Sequence, residues 1–139
     1  MQPSHLCLSI LKDSVAAKHV FLLIAHTTFR EAVACVVDEE SDLEVVSQVG
    51  SLAEMGNNNL DHNIDVALVD LSLSDGDGMA AIRKLSMEYG DAVALALSGG
   101  SDLSITERAL EAGAARVLAT SSSFGEVVDA IRNSVHEEK

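Results

Sequence analysis

The sequence predicts an α/β fold in which helices cover both faces of a doubly wound, five-stranded parallel sheet. First, five strand-like segments alternate strictly with five helix-like segments along the 139 residues, a pattern typical of parallel sheets with right-handed crossovers. Second, most of the strand-like segments are unbroken apolar runs, as expected of strands buried on both faces. Third, 47% of the residues are hydrophobic but only 3% are aromatic, which indicates an aliphatic core.

Each strand is predicted from a short run of apolar residues that ends at a turn or polar residue. The third strand is the clearest, because Val66 to Val69 are apolar and Asp70 is followed at once by a loop rich in Ser, Asp and Gly. The second strand instead alternates apolar and polar residues before Gly50 breaks it. The strands are predicted over residues 19–25, 43–49, 65–70, 92–97 and 115–119.

Capping signals and apolar stripes predict the helices that follow the strands. Thr28 and Glu31 have the spacing of a capping box, and so do Ser123 and Glu126 before the last helix. Gly113 is expected to end the fourth helix. The core-facing stripes are predicted to be Ala32, Val33, Val36 and Val37 in the first helix, Met79, Ile82 and Leu85 in the third, and Val127, Val128, Ile131 and Val135 in the last. The remaining signals are a weak second helix over residues 51–60 that ends in Asn57 to Asn59, Gly90 as the stop of the third helix, and Ser101 or Asp102 as the cap of the fourth.

The length of the chain is enough for one domain with a substantial core. Residues 1–18 are expected to be a tail or a short extra helix, and residues 19–139 to form the domain. Cys7 and Cys35 lack metal-ligand spacing, and we expect both to be reduced, with Cys35 buried in the first helix. No apolar run approaches the roughly 20 residues of a membrane span, and no signal peptide is visible. We expect a soluble, cytoplasmic protein.

The charge of the chain argues against several classes of partner. With 22 Asp and Glu against 9 Lys and Arg, the net charge is −13, so we expect no binding to nucleic acid or to an anionic membrane. The few aromatic residues argue against a stacked flavin or nucleobase, and no Gly-x-Gly-x-x-Gly follows the first strand. A calcium loop starting at Asp70 fails, because Asp75 and Ala81 stand where Gly and Glu are needed.

Asp70 is the residue on which the functional argument rests. In open α/β sheets, ligands bind beyond the carboxyl ends of the strands, and Asp70 ends the third strand. In the flavodoxin-like strand order 2-1-3-4-5, the other strand tips would surround it: Ala25 and His26, Ser98, and Thr120. A carboxylate placed there can meet a metal ion or a phosphoryl group. Alternatively, Asp70 caps the following turn through its own side chain.

Three motifs carry a resemblance to a known family. They are Val69-Asp70-Leu71 followed by Gly78, Leu97-Ser98, and Glu111-Ala112-Gly113-Ala114 before the fifth strand. With the five-fold alternation, they make residues 19 to about 135 resemble the receiver domain (CheY-like) of two-component response regulators. The resemblance implies that Asp70 accepts a phosphoryl group from the phosphohistidine of a kinase. It also implies that Ser98 hydrogen-bonds that group and that the Ser72 carbonyl is a Mg²⁺ ligand.

Five positions depart from the family pattern. Ala25 and His26 stand where the family has two acids that hold Mg²⁺, and Thr120 replaces the lysine that neutralises the phosphoryl oxygens. Val117 replaces the aromatic switch residue, and Ser74 replaces a proline. Mg²⁺ prefers oxygen ligands, and each lost preorganised electrostatic group costs about 2.7–4 kcal/mol of transition-state stabilisation. We therefore hypothesise a degenerate pseudo-receiver, not an enzyme, that works mainly through protein contacts and in which Mg²⁺-dependent phosphorylation is impaired or absent. No cofactor is expected, and Mg²⁺ is the one alternative left open.

Other functions stay open at this point. Asp70 could be a slow but functional phosphoacceptor, or the strand-tip pocket could bind a small ligand. His26 could hold a metal or accept a phosphoryl group instead of being a loop residue, and Asp75 and Asp77 could supply replacement acids instead of being solvated turn residues. The expected partners are a histidine kinase, another regulator or a second copy of the chain. They would bind the face made by the fourth helix, the fifth strand and the last helix, whose positive charges are Arg108, Arg116 and Arg132.

Overall fold

The computed structural model describes residues 17–57, 64–72, 78–89, 92–99 and 103–134. Within them, the five strands form one sheet in the order β2-β1-β3-β4-β5, and all neighbouring strands are parallel. The predicted fold class and strand order are therefore confirmed. In chain order the elements are β1 (Lys18–Leu23), α1 (Thr27–Asp38), β2 (Leu43–Val49), α2 (Leu52–Asn57), β3 (Val66–Asp70), α3 (Gly78–Glu88), β4 (Val93–Ser98), α4 (Leu103–Ala112), β5 (Ala114–Ala119) and α5 (Phe124–Arg132).

The strand ends lie close to their predicted positions. β2 has the predicted bounds, whereas β1 ends at Leu23, two residues before the predicted Ala25. No helix in the described part of the chain is long and apolar enough to cross a lipid bilayer. Several predicted features lie outside the described residues: Cys7 with the rest of residues 1–16, Asn58 and Asn59, Gly90, the helix caps Ser101 and Asp102, and Val135.

Both faces of the sheet are buried, which explains the unbroken apolar runs of the strands. Val20 and Leu22 of β1 pack on one side with α1 and α5, and Phe21 and Leu23 pack on the other side with α3 and α4. β3 is buried at all five positions, because it is the central strand. Burial of one such aliphatic side chain contributes about 1.5–3 kcal/mol, so the alternating strand residues hold both helical layers on the sheet.

The first helix begins differently from the prediction. Its N-cap is His26, whose Nδ1 accepts a hydrogen bond from the Phe29 N–H at 3.3 Å. The predicted capping box of Thr28 and Glu31 is therefore wrong, since both residues lie inside the helix. By contrast, the capping box predicted at the start of α5 is confirmed, with its two hydrogen bonds at 2.9 and 3.1 Å.

The core-facing side of α1 also differs from the prediction. The buried residues of this helix are Val33, Ala34 and Val37. Ala32 and Val36 are only half-buried. Cys35 was predicted to be buried and is exposed, because it lies about 200° around the helix axis from its buried neighbours two positions away on either side.

Two basic residues anchor the C-terminal end of α5. Arg132 donates to the Asp42 carboxylate from Nε at 2.7 Å and from Nη2 at 3.1 Å, and it also pairs with Glu40. Lys18 Nζ donates to the carbonyl oxygens of Arg132 at 2.8 Å and Ser134 at 2.7 Å, at the helix end where carbonyls lack helical partners. The hydrogen bond from Arg132 lowers the pKa of Asp42 below its ordinary value.

Gly113 is expected to be intolerant of any side chain. Its φ is +127°, and a Cβ atom there would lie 2.1 Å from Ser86 Oγ. We expect Gly113→Ala to lower the free energy of unfolding by about 1–3 kcal/mol through backbone strain and displacement of Ser86. In the matched control Gly125→Ala, the added Cβ makes only an ordinary contact, 3.8 Å from Ser123 Oγ, and should raise stability by about 0.4–1 kcal/mol. Urea denaturation measures both, and equal effects would contradict this account.

The Asp42–Arg132 pair is expected to make stability depend on pH. Because the pKa of Asp42 is lowered in the folded state, the pair stabilises the protein above the ordinary Asp pKa of about 3.9 and loses its effect as the pH falls through the folded value. We expect Asp42→Asn to lower the free energy of unfolding by up to about 1 kcal/mol near neutral pH, the range for partly exposed ion pairs. The difference from the wild type should shrink below about pH 4.

Urea denaturation at neutral and acidic pH tests this expectation. The control is Glu107→Gln, which removes an exposed carboxylate from α4 and should not change the pH dependence. A deficit for Asp42→Asn that is the same at both pH values would show that the Arg132 pair is not the source.

Candidate functional site

The carboxyl ends of three strands bring polar residues to one edge of the sheet. Asp70 is the last residue of β3 and lies opposite Leu97, and Ser98 is the last residue of β4 and lies opposite Ala119. The Thr120 N–H donates to the Ser98 carbonyl at 3.0 Å. The structure therefore places Asp70, Ser98 and Thr120 at the same sheet edge, as the strand order requires.

The Asp70 carboxylate is oriented by main-chain donors from two directions. The side chain is almost buried, with the residue 9% exposed. The Ser72 N–H donates to Oδ1 at 2.9 Å, and the Ala25 N–H donates to Oδ2 at 3.4 Å. The Ser72 contact is the side-chain turn anticipated as the alternative role of this aspartate. Asp70 thus caps its own turn and at the same time contacts the tip of β1.

Gly78 allows the helix that follows this loop to lie directly against Asp70. A Cβ atom on Gly78 would lie 2.6 Å from the Asp70 carbonyl oxygen and 2.7 Å from Leu71 Cα. Both are backbone atoms that have no freedom to move aside. The glycine eight residues after the aspartate, noted in the sequence, is therefore the residue that permits close packing of α3 on the end of β3.

The tip of β1 brings apolar residues, not acids, to the level of Asp70. Leu23 lies opposite Val69. One residue further along both chain segments, Ile24 therefore lies beside Asp70, and Ile24 is fully buried. The following residue supplies the Ala25 N–H. His26 is exposed, and its ring caps α1. The strand-end residues level with Asp70 are thus Ile24 and Ala25, one position earlier than the pair assigned from the sequence.

Two hydroxyl residues complete the described part of the site. Ser98 is almost buried, at 8% exposure, whereas Thr120 is exposed. A Cβ atom on Gly99 would lie 3.7 Å from Thr120 Oγ1, so the threonine side chain lies over the end of β4. Val117, farther back on β5, is half-buried against the core on the α3 and α4 side. The edge therefore carries the Thr120 hydroxyl at the position where the sequence resemblance expects a lysine.

The described residues do not by themselves fit a Mg²⁺ ion. Across the described ranges, no group of three or more Asp, Glu, His or Cys side chains could hold a metal. Ser72 is exposed and follows Asp70 closely, but Mg²⁺ demands near-octahedral oxygen coordination, usually with more than one carboxylate or phosphate. Ser74, Asp75 and Asp77 lie outside the described residues.

Arg30, which no sequence motif indicated, also reaches this edge of the sheet. Its Nη1 donates to the Ile24 carbonyl at 2.8 Å. Its Nε is buried and has no hydrogen-bond partner among the described residues. The available signal was a basic residue close to the N-terminus of a helix, where the helix dipole favours acids. Its interaction with Ile24 spans six residues and is not visible in any local pattern.

Comparison with known proteins places this geometry in a family. The model of the response regulator receiver domain matches residues 21–132. The chain belongs to the response regulator receiver domain family. This receiver domain is 28% identical over 113 residues to the transcriptional regulatory protein LiaR of Bacillus subtilis, covering 81% of the chain and 54% of LiaR. It is 27% identical over 108 residues to the oxygen regulatory protein NreC of Staphylococcus epidermidis, covering 77% and 50%. The chain spans about half the length of the curated relatives that it matches.

Solved structures agree with the family assignment. The signal receiver domain of NarL from Mycobacterium tuberculosis superposes with a TM-score of 0.77 at 26% identity, covering 84% of this chain and 94% of that one. A LuxR-family two-component response regulator from Aurantimonas has a TM-score of 0.76 at 24% identity, covering 84% of each chain, and at that identity it shows the fold alone. The resemblance to the receiver domain family, which rested on sequence motifs, is therefore confirmed.

His26 is expected to contribute to stability as a helix cap. We expect His26→Ala to lower the free energy of unfolding by about 0.5–1 kcal/mol, because the Phe29 N–H loses its acceptor. His26→Asn keeps a capping oxygen and should be at least as stable as the wild type. Thermal or urea denaturation compares the three proteins. If His26→Ala and His26→Asn proved equally stable, the capping contact would be energetically unimportant.

Proposed function

We propose that this receiver domain is a degenerate pseudo-receiver that acts in two-component signalling through protein contacts, with Mg²⁺-dependent phosphorylation of Asp70 impaired or absent. One observation carries the proposal: the residues level with the Asp70 carboxylate on β1 are the aliphatic Ile24 and Ala25. In this proposal the chain is not an enzyme and requires no cofactor. Residues 19–139 are proposed as the working domain, which Lys18 extends by one residue as the first residue of β1, and the residues before Lys18 are proposed to be a tail or a short extra helix.

The chemistry of phosphoryl transfer supports an impaired site. Transfer depends mostly on positioning and on neutralising the charge of the transferring oxygens. Ile24 and Ala25 supply no metal ligands, and Thr120 supplies no positive charge. At about 2.7–4 kcal/mol for each preorganised group removed, the loss of two such groups slows the reaction by several orders of magnitude. Asp70 keeps its orientation nevertheless, because the Ser72 and Ala25 amides hold it.

The described surface supports a role in protein contacts. Leu103 and Leu110 are exposed, 75% and 46% respectively, and lie two helical turns apart on α4. Arg108 of α4 and Arg116 of β5 are exposed in the same region, and Arg132 of α5 pairs with Asp42 and Glu40. We propose that the α4–β5–α5 face binds a histidine kinase, another regulator or a second copy of the chain. With a net charge of −13, these residues are not proposed to bind nucleic acid or membranes, and the proposed location is the cytoplasm.

A slow phospho-switch is the second candidate. It is favoured by Ser98, which lies almost buried at the same edge as Asp70 and is the hydroxyl that the resemblance assigns to phosphoryl contact. Ligand binding is the third candidate. Described residues form a cavity of about 190 Å³ at the other end of β4 and β5, lined in part by Val93, Ala115 and Asn133. That volume is below the roughly 300–1,000 Å³ of typical ligand pockets.

Phosphorylation with a small-molecule donor tests the proposal. The whole chain is incubated with acetyl phosphate and Mg²⁺, and its intact mass is measured. We expect no phosphoryl adduct on the wild type. The double variant Ala25→Asp/Thr120→Lys, which restores a carboxylate and a cation to the site, should gain an adduct, and adding Asp70→Asn to it should remove that adduct.

The wild type and its Asp70→Asn variant together decide between the first two candidates. An adduct on the wild type that is absent from Asp70→Asn would establish the phospho-switch and contradict the pseudo-receiver proposal. In cells, Asp70→Asn should leave signalling intact if the domain works through contacts alone, and should abolish it if the domain is a switch.

A further inference from the structure

Arg30 and Asp70 contact the same peptide group. Arg30 Nη1 donates to the carbonyl oxygen of Ile24 at 2.8 Å. The N–H of Ala25 belongs to the same peptide unit and donates to Asp70 Oδ2 at 3.4 Å. In a trans peptide the C=O and N–H bonds point in opposite directions. The Ile24–Ala25 peptide therefore lies between the guanidinium cation and the carboxylate.

In this arrangement the guanidinium polarises the peptide group. A cation at the carbonyl oxygen draws electron density from the amide, and hydrogen bonds in a chain strengthen one another, more so away from water. Arg30 thus makes the Ala25 N–H a better donor to Asp70. The Ser72 N–H, which holds the other carboxylate oxygen at 2.9 Å, does not belong to this peptide.

The position of the Arg30 guanidinium is unfavourable for the stability of the folded protein. Its Nε is buried and no described residue accepts a hydrogen bond from it, and a buried unsatisfied donor is unfavourable. Room for Nη1 exists because residue 50 is glycine, where a Cβ atom would lie 2.6 Å from it. The position near the N-terminus of α1 is also unfavourable for a cation. Helix packing alone gives no reason for these costs, whereas a contact that acts on Asp70 does.

We propose that Arg30 is a positioning residue for Asp70, acting through the Ile24–Ala25 peptide. It supplies from α1 a fixed positive charge at a sheet edge where Ala25 and Thr120 supply none, and it holds the carboxylate toward the tip of β1. The inference concerns the geometry of Asp70 and stands whether or not that residue is phosphorylated, so it goes beyond the proposed function.

Amide NMR of the ¹⁵N-labelled chain tests the inference. In Arg30→Met, we expect the Ala25 amide proton to move upfield and to exchange severalfold faster with solvent, because its hydrogen bond weakens. The Ser72 amide should keep its shift. Arg30→Lys retains the cation and should recover part of the Ala25 shift.

A second variant changes the position of the guanidinium and keeps the arginine at residue 30. In Gly50→Ala, the added Cβ displaces the end of a flexible side chain, so the fold is preserved while the guanidinium moves away from Ile24. It should reproduce the Ala25 change, and it decides the matter if Arg30→Met does not fold. The control Arg83→Met removes an exposed charge from α3 and should leave Ala25 unchanged.

Three results would each overturn the inference. One is an unchanged Ala25 amide in Arg30→Met and Gly50→Ala. Another is an equal displacement of the Ala25 and Ser72 amides, which would mean that the loop as a whole had moved. The third is the same Ala25 shift in Arg83→Met, which would assign the effect to net charge.

Discussion

The register of β1 against β3, with Leu23 opposite Val69, is the constraint on which the geometry around Asp70 depends. In a sheet buried on both faces, a slip of one residue would exchange the faces on which every side chain of the strand packs. The register is therefore held by the whole core and not by the site. It brings the Ile24–Ala25 peptide to the carboxylate, while Gly78 allows α3 to lie against the Asp70 carbonyl from the other side.

The fold and the chemistry of this receiver domain rest on different residues. The core consists of aliphatic side chains along the strands and on the inner faces of the helices. The residues that would carry phosphoryl chemistry lie at strand tips, where a change from acid to alanine or from lysine to threonine leaves the core untouched. A chain can thus belong to the family by its fold while its site differs, since function resides in sites placed on a fold.

The charged side chains of the described residues are also divided between the fold and the site. The strongest described ion-pair cluster, Arg132 with Asp42 and Glu40, lies at the end of α5, where it anchors the helix to the turn before β2. At the Asp70 edge, by contrast, main-chain amides supply the polar contacts, and Arg30 bonds to a carbonyl. The Ala25 and Ser72 amides, whose positions the fold determines, orient the Asp70 carboxylate.

The sequence by itself determined the five strands and the capping box of α5, because apolar periodicity and capping are local patterns that burial on both faces reinforces. Its motifs indicated the family, and the strand order expected of that fold is the one observed. Only the tertiary structure decided that β1 ends at Leu23, that His26 caps α1, that Cys35 is exposed and that Arg30 bonds to Ile24. Several polar residues near a strand end can cap the next helix. Which of them becomes the N-cap depends on the residue at which the strand stops pairing with the neighbouring strands. The contact between Ala25 and Asp70 joins residues 45 positions apart. No local sequence pattern specifies which residue of β1 the parallel register places beside Asp70.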